Sequence, residues 1–139
     1  MENIVDDKTR DILRSDGFAD YLGIKLLDVG PGKARVSLQL DKRHLNFHGM
    51  VHGGVIFSLA DVAFAAASNS FGSKAVALSV NIDFLSAADT SDELTAEVEQ
   101  LSRAGKMGYY SMKVLDSSGT TIALCRGWAY HTGKPFHKE

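Results

Sequence analysis

From Gly30 onward the apolar and polar positions of this chain alternate in short period-two runs, interrupted once by a long stretch that is apolar almost all round. Ile24 to Val29 run extended into the turn Gly30-Pro31-Gly32, after which Ala34, Val36, Leu38 and Leu40 alternate with Lys33, Arg35, Ser37 and Gln39. Side chains two residues apart share a strand face, so this reads as a hairpin with one wet face. Further on, 74–84 places Val76, Leu78, Val80, Ile82 and Phe84 on one face, and 93–101 sets Leu94, Ala96 and Val98 against Glu93, Glu97 and Glu99. The turn Arg103-Ala104-Gly105-Lys106 leads to a strand over 107–115, Asp116-Ser117-Ser118-Gly119 closes another hairpin, and 120–130 is the last strand. The polar tail 131–139 is expected to fray.

Residues 7–15 read as a short surface helix, 18–22 as a further turn before Gly23, and the polar, glycine-bearing 41–50 as loop. The segment from Gly53 to about Ser70 is the long helical candidate, and it has no polar face wide enough for a surface helix. A helix apolar nearly all round must be covered nearly all round, and in a short chain a curved sheet is the natural cover. The order is then short helix, two strands, one long buried helix, four strands. This predicts an α+β fold in which a mostly antiparallel sheet rolls around a central helix. With 139 residues and no internal repeat or linker, 1–139 is expected to be a single domain.

Charge and composition narrow the partners. Fifteen basic and 17 acidic residues give a formal net charge of -2, which argues against nucleic acid while leaving room for a local basic patch on a phosphorylated ligand. The single cysteine, Cys125, lies in an alternating apolar stretch; it excludes a disulfide within the chain and reads as a small buried hydrophobe in a reducing, cytoplasmic compartment. No basic region precedes an apolar run at the N-terminus and no stretch reaches about 18 apolar residues, so neither secretion nor a membrane span is expected.

The chemistry concentrates in Asn46-Phe47-His48-Gly49-Met50-Val51-His52-Gly53-Gly54 and in Asp61, the one acid of the apolar helix. The start of a helix leaves amides unpaired, and Gly53 and Gly54 carry no side chain to block an incoming oxygen, so an amide there suits a developing oxyanion. Asp61 falls seven residues after Gly54, on nearly the same helical face and flanked by Ser58 and Ala65. A carboxylate among Ala60, Val62, Ala63 and Phe64 is costly to bury; a catalytic base and a structural or subunit-seam acid both remain open. For His52, proton transfer and a structural bond to loop backbone likewise both stand. His44, His48 and His52 have four-residue spacing, but the loop-like composition does not present them together and nothing completes a metal set, so no metal is expected. There is no Gly-x-Ser-x-Gly elbow and no Gly-x-Gly-x-x-Gly before a helix, which leaves covalent serine hydrolysis and nicotinamide chemistry without support.

With its Asn-x-x-Gly-x-x-His-Gly-Gly pattern and helical Asp61, the chain resembles the hotdog-fold thioesterases, in particular the phenylacetyl-CoA thioesterase-like branch, over about residues 18 to 131. The resemblance implies a central helix wrapped by an antiparallel sheet, homodimers joined sheet edge to sheet edge, homotetramers built from them, and an active site between subunits. It implies that Asp61 activates water or attacks the thioester directly, that the Gly53 amide polarises the carbonyl, that Asn46 orients water or substrate, and that His52 has a structural or carbonyl-orienting role. Gly54 then permits close approach at the helix start, and Ser58 belongs to the substrate wall. Arg103 and Lys106, with Lys74 a weaker candidate, are expected on the phosphates of coenzyme A, which is part of the substrate; no separate cofactor is implied. Phe57, Phe64 and Phe84 are candidates for the acyl pocket, with at least one of them expected in the core. The implied reaction is acyl-CoA plus water giving acid and free CoA, with phenylacetyl-CoA or a ring-hydroxylated relative favoured over medium-chain acyl groups. A dehydratase or hydratase on the same fold, and a non-catalytic acyl-CoA-binding protein, are the alternatives.

Overall fold

The period-two runs become β1 (Ile24–Gly30), β2 (Lys33–Gln39), β3 (Ser73–Phe84), β4 (Glu93–Ala104), β5 (Met107–Leu115) and β6 (Thr121–Pro135) in a computed structural model that describes residues 4–136. They form one sheet in the order β1-β2-β4-β5-β6-β3, with every neighbouring pair antiparallel. Because β3 pairs with β6 and not with β4, it stands at an edge. The helix that joins β2 to β3, α3 (Gly53–Ser68), therefore has to cross the inner face of the sheet.

That crossing makes the core. Leu59, Ala60, Ala63, Phe64 and Ala67 of α3 are buried against the inward side chains Val36, Leu38, Leu94, Ala96, Val98, Met112 and Val114. Each large apolar side chain buried this way contributes roughly 1.5–3 kcal/mol. The alternation expected over 33–40 and 93–98 is observed with one exception: Ala34, Val36, Leu38 and Leu40 are buried, and Leu94, Ala96 and Val98 are buried beside Glu93, Glu97 and Glu99, but Ser37, expected on the wet face, is buried as well.

Three other expectations change. In β3 a bulge lies between Ala77 and Ser79, and inserting one residue reverses which parity faces inward. Val80 and Ile82 pack against the core, whereas Val76 and Leu78 are exposed and do not share their face. At the C-terminus, residues 131–135 continue β6 and do not fray. The His131 N–H donates to Lys106 O at 2.7 Å and Thr132 Oγ1 donates to Lys74 O at 2.7 Å; 137–139 lie outside the described residues. Finally, the cover over α3 is incomplete, since Gly54 and Ala65 are exposed and Phe57, Ser58, Asp61 and Val62 are only half-buried.

Two shorter helices precede the sheet, and the second packs on β1. α1 (Asp7–Leu13) and α2 (Gly17–Leu22) are capped by Asp6 and Asp16, and Gly23, at φ 89°, ends α2 in the left-handed conformation that glycine adopts freely. Between β2 and α3 the loop is more ordered than its composition suggests: a 3-10 turn spans Lys42–His44, and Leu45 bridges Val51. No helix among the described residues is long and apolar enough to cross a membrane.

Candidate active site

The first turn of α3 leaves one amide open. His52 is the N-cap, its Nδ1 accepting the Gly54 N–H at 2.8 Å while its carbonyl accepts Val55 N at 3.0 Å and Ile56 N at 3.3 Å. The Gly53 N–H has no acceptor among the described residues. It lies at the positive end of the helix dipole, on the wall of a cleft of about 430 Å³ lined also by Met50, Ile56, Phe84, Leu85 and Thr90. A side chain on Gly53 would begin 3.5 Å from the Phe84 ring, so the bare glycine keeps the donor accessible beside an aromatic wall.

The loop before the helix is held by Asn46. Its Oδ1 accepts the N–H groups of His48 at 2.9 Å and Met50 at 3.1 Å, which leaves the Nδ2 donor without an intrachain partner among the described residues. The three histidines separate. His44 is buried, with Nδ1 accepting from Asp41 N at 2.9 Å and its Nε2 2.8 Å from Leu22 O; His48 is exposed against Phe47; His52 caps the helix. With Nδ1 of His52 accepting, its neutral ring carries the proton on Nε2.

Asp61 sits on the uncovered stripe of α3. Among the described residues it makes no hydrogen bond or ion pair, and burial, followed by repulsion from Asp16, raises its pKa above the ordinary aspartate value. Eight residues at 1.5 Å rise separate it from Gly53 by about 12 Å along the axis. Ser58 Oγ donates to Gly54 O at 2.7 Å and keeps lone pairs to accept with. Phe57 is half-buried on the same stripe and Phe84 is 54% exposed, but Phe64 is 1% exposed and packs on Tyr110, so it is the core member of the three.

Arg103 and Lys106 lie elsewhere in the chain. They line a pocket of about 340 Å³ with Phe71 and His131, beyond the C-terminal end of α3, a 16-residue helix about 24 Å long. A single chain therefore does not bring them to Gly53. Two features escaped sequence reasoning: Asp16, whose charge acts on Asp61, and the Gln100–Tyr110–His131 hydrogen-bond chain, of which Tyr110 and His131 are buried. Both are contacts between segments distant in sequence, and no local pattern signals them. Cys125 is 2% exposed and free, its thiol pushed up to about 11 by burial and then by Asp83, which makes it a poor nucleophile.

An antiparallel sheet curled on one crossing helix, with this strand order, is a hotdog fold. Residues 48–123 match the profile of the thioesterase superfamily, and the chain belongs to that superfamily, in its PaaI-like branch. It is 38% identical over 119 residues to acyl-coenzyme A thioesterase PaaI of Escherichia coli, covering 86% of this chain and 85% of that one. A putative esterase of Archaeoglobus fulgidus is 38% identical over 123 residues, covering 88% of this chain and 80% of its own length. The solved structure of the E. coli PaaI protein from the phenylacetic acid degradation operon superposes with a TM-score of 0.88 at 34% identity, over 95% of this chain and 99% of that one. The chain is a hydrolase of this superfamily.

Proposed function

We propose that the protein hydrolyses acyl-CoA thioesters, with phenylacetyl-CoA or a ring-hydroxylated relative as the favoured substrate class, in the cytoplasm. The observation that carries the reading is the Gly53 amide at the helix start, in an aromatic-walled cleft, combined with a carboxylate on the uncovered stripe of the same helix, neither of which has a partner among the described residues. The name of the E. coli relative supports the thioester, and the operon named for its structure supports the aryl-acetyl group.

In this reading the Gly53 N–H meets the carbonyl oxygen as it gains charge, a donor already fixed before reaction. Asp61 either draws a proton from the water that attacks the carbonyl carbon, or attacks that carbon itself to form a mixed anhydride that water then cleaves to the free acid; on either route the C–S bond breaks and CoA leaves as the thiolate. Nδ2 of Asn46 orients water or substrate, His52 holds the amides in place, Gly54 and Ser58 form the near wall, and Phe57 and Phe84 contact the acyl group. The axial separation of Gly53 and Asp61 exceeds what one carbonyl spans, so the acid facing a given Gly53 comes from a second copy lying antiparallel. A homodimer formed through the β3 edge, where Val76 and Leu78 are exposed, would cover the α3 stripe and carry the partner's Arg103 and Lys106 toward the cleft to meet CoA phosphates. Two such dimers make the homotetramer.

The deciding assay is release of free CoA from phenylacetyl-, hydroxyphenylacetyl-, benzoyl-, acetyl-, hexanoyl- and palmitoyl-CoA by wild type and Asp61→Asn. Turnover that falls at least ~100-fold in the variant supports the reading. No thiol release, with water eliminated from a hydroxyacyl thioester, would move the protein to the dehydratases.

A further inference from the structure

At the end of the sheet away from the Gly53 cleft lies a polar cluster that the proposed hydrolysis leaves unused. Tyr110 is fully buried and His131 is 4% exposed. Tyr110 Oη donates to Gln100 Oε1 at 3.0 Å, which commits its single proton; the 3.0 Å contact with His131 is then made by an Nε2–H of the imidazole. In that tautomer Nδ1 is an acceptor. It is buried and has no hydrogen-bond partner among the described residues, a rare condition for a polar atom in a folded protein.

His131 lines the pocket of about 340 Å³ together with Gln100, Arg103, Lys106, Phe71 and Ser73, and no carboxylate lines it among the described residues. The groups facing the imidazole are Arg103 from β4, Lys106 from the turn after it, Tyr110 from β5, and the Phe71 ring 5.9 Å away, over which Arg103 Cζ stacks at 5.2 Å from the centroid. Lys74 stands at the start of β3, where its carbonyl holds Thr132. Glycine at 108 gives the cluster its room, since a Cβ there would lie 2.8 Å from His131 Nε2 and 2.8 Å from Tyr110 Cε1. Burial, then Arg103, holds His131 below the ordinary histidine value, and burial pushes the Tyr110 phenol up to about 12, so both are neutral near pH 7.

A phosphate dianion drawn in by Arg103 and Lys106 offers only acceptors, and so does Nδ1. Nδ1 is closed to solvent, so a phosphate oxygen reaches it by displacing the side chains that cover it, and the two can then touch only with a proton between them. We propose that this pocket binds a phosphate monoester with uptake of one proton from solvent, held between His131 Nδ1 and a phosphate oxygen; this rests on the reading that Arg103 and Lys106 meet a CoA phosphate. No covalent bond forms or breaks in this binding step.

The test is calorimetry of the full-length protein at pH 8, where a phosphate monoester is a dianion, in two buffers of different ionisation enthalpy. CoA, dephospho-CoA (which lacks the phosphate monoester) and inorganic phosphate are the probes. The expected result is uptake of close to one proton with CoA, a Kd about tenfold weaker at pH 8 than at pH 7, and neither effect with dephospho-CoA. Inorganic phosphate that competes with CoA and takes up a proton identifies free phosphate as a second source; failure to compete restricts the site to the nucleotide. His131→Asn should bind CoA with a flat pH dependence, and if that variant does not fold the wild-type proton count decides alone. CoA binding that weakens on Arg103→Met and on loss of the monoester, without proton uptake in wild type, would overturn the proposal and keep the phosphate reading. Equal affinity for CoA and dephospho-CoA would overturn the proposal, and CoA affinity unchanged by Arg103→Met as well would sink the phosphate reading with it.

Discussion

The Gly54 amide donates to His52 Nδ1 at 2.8 Å, and this one bond decides which amide at the start of α3 is free to meet a substrate. A Cβ on Gly54 would lie 3.0 Å from that Nδ1 and 3.2 Å from Cε1, so the ring would have to give by a few tenths of an ångström and stretch its cap bond. Gly54→Ala should therefore cost at most about 1 kcal/mol of stability, the usual worth of a whole N-cap, measurable by urea unfolding.

Gly53 should behave differently. It is the first residue of α3, where proline is well tolerated, and His52 at φ -65°, ψ 132° already has the extended conformation that proline requires of its predecessor. Gly53→Pro removes the N–H while suiting the helix start, so it should leave stability within ~1 kcal/mol and lower kcat by about 100- to 1000-fold. Unchanged turnover in a folded variant would dismiss the Gly53 amide as the carbonyl donor.

Asp61 sets the acidic limb of the pH–rate profile. Its pKa is raised by burial and then by Asp16, so kcat/KM should fall as pH drops through a value above the ordinary ~3.9. Asp16 caps α2 by accepting Ala19 N at 3.0 Å, and asparagine caps as well as aspartate. Asp16→Asn should keep the helix and move the limb to lower pH; a limb that stays put would show that Asp16 does not act on the titrating group.

The same shift fixes the sign of a stability effect. A carboxyl whose folded pKa is raised favours folding while protonated, and that contribution is lost as pH rises through the folded pKa. Ionised Asp61 therefore destabilises the fold near neutral pH. Asp61→Asn should raise Tm at pH 7 and converge with wild type below the ordinary aspartate value, even as it abolishes turnover. A variant less stable than wild type at pH 7 would mean that the carboxylate has a structural partner.

The core face of the sheet was legible in sequence because Leu94, Ala96 and Val98 alternate with glutamates without interruption, and the long helix because Gly53 to Ser68 is apolar almost throughout. Gly53 and Asp61 were legible for the same reason, since glycine before an apolar helix and a lone acid within it stand out locally. Leu78 was misplaced because a bulge depends on how β3 meets β6, which alternation alone does not encode. His131 reads as a fraying polar residue because its hydrogen-bond partner Tyr110 lies 21 residues away, and a buried polar side chain looks like a wet one in sequence.

The phenylalanines separate core from pocket. Phe64 packs on Tyr110, and its ring would lie 3.0 Å from a Cβ on Gly127; Phe64→Ala should cost about 3–5 kcal/mol and leave too little folded protein to show a changed preference. Phe57→Leu and Phe84→Leu, on the half-buried stripe and the cleft rim, should fold normally and shift kcat/KM between phenylacetyl- and hexanoyl-CoA. A Phe84→Leu enzyme with the wild-type ratio would remove that ring from the acyl site.

Mixing two inactive variants tests whether the site is shared between copies. If the carbonyl donor and the acid come from different chains, a dimer of Gly53→Pro with Asp61→Asn has one site with both groups intact and one with neither. Random reassociation makes about half of the dimers mixed, so activity should return to about a quarter of wild type. A site built within one chain cannot be rescued this way, because every chain in the mixture lacks one group. Activity that stays at the level of the separate variants, with mixed dimers confirmed by mass spectrometry, would place Gly53 and Asp61 in the same catalytic chain despite the roughly 12 Å between them along α3.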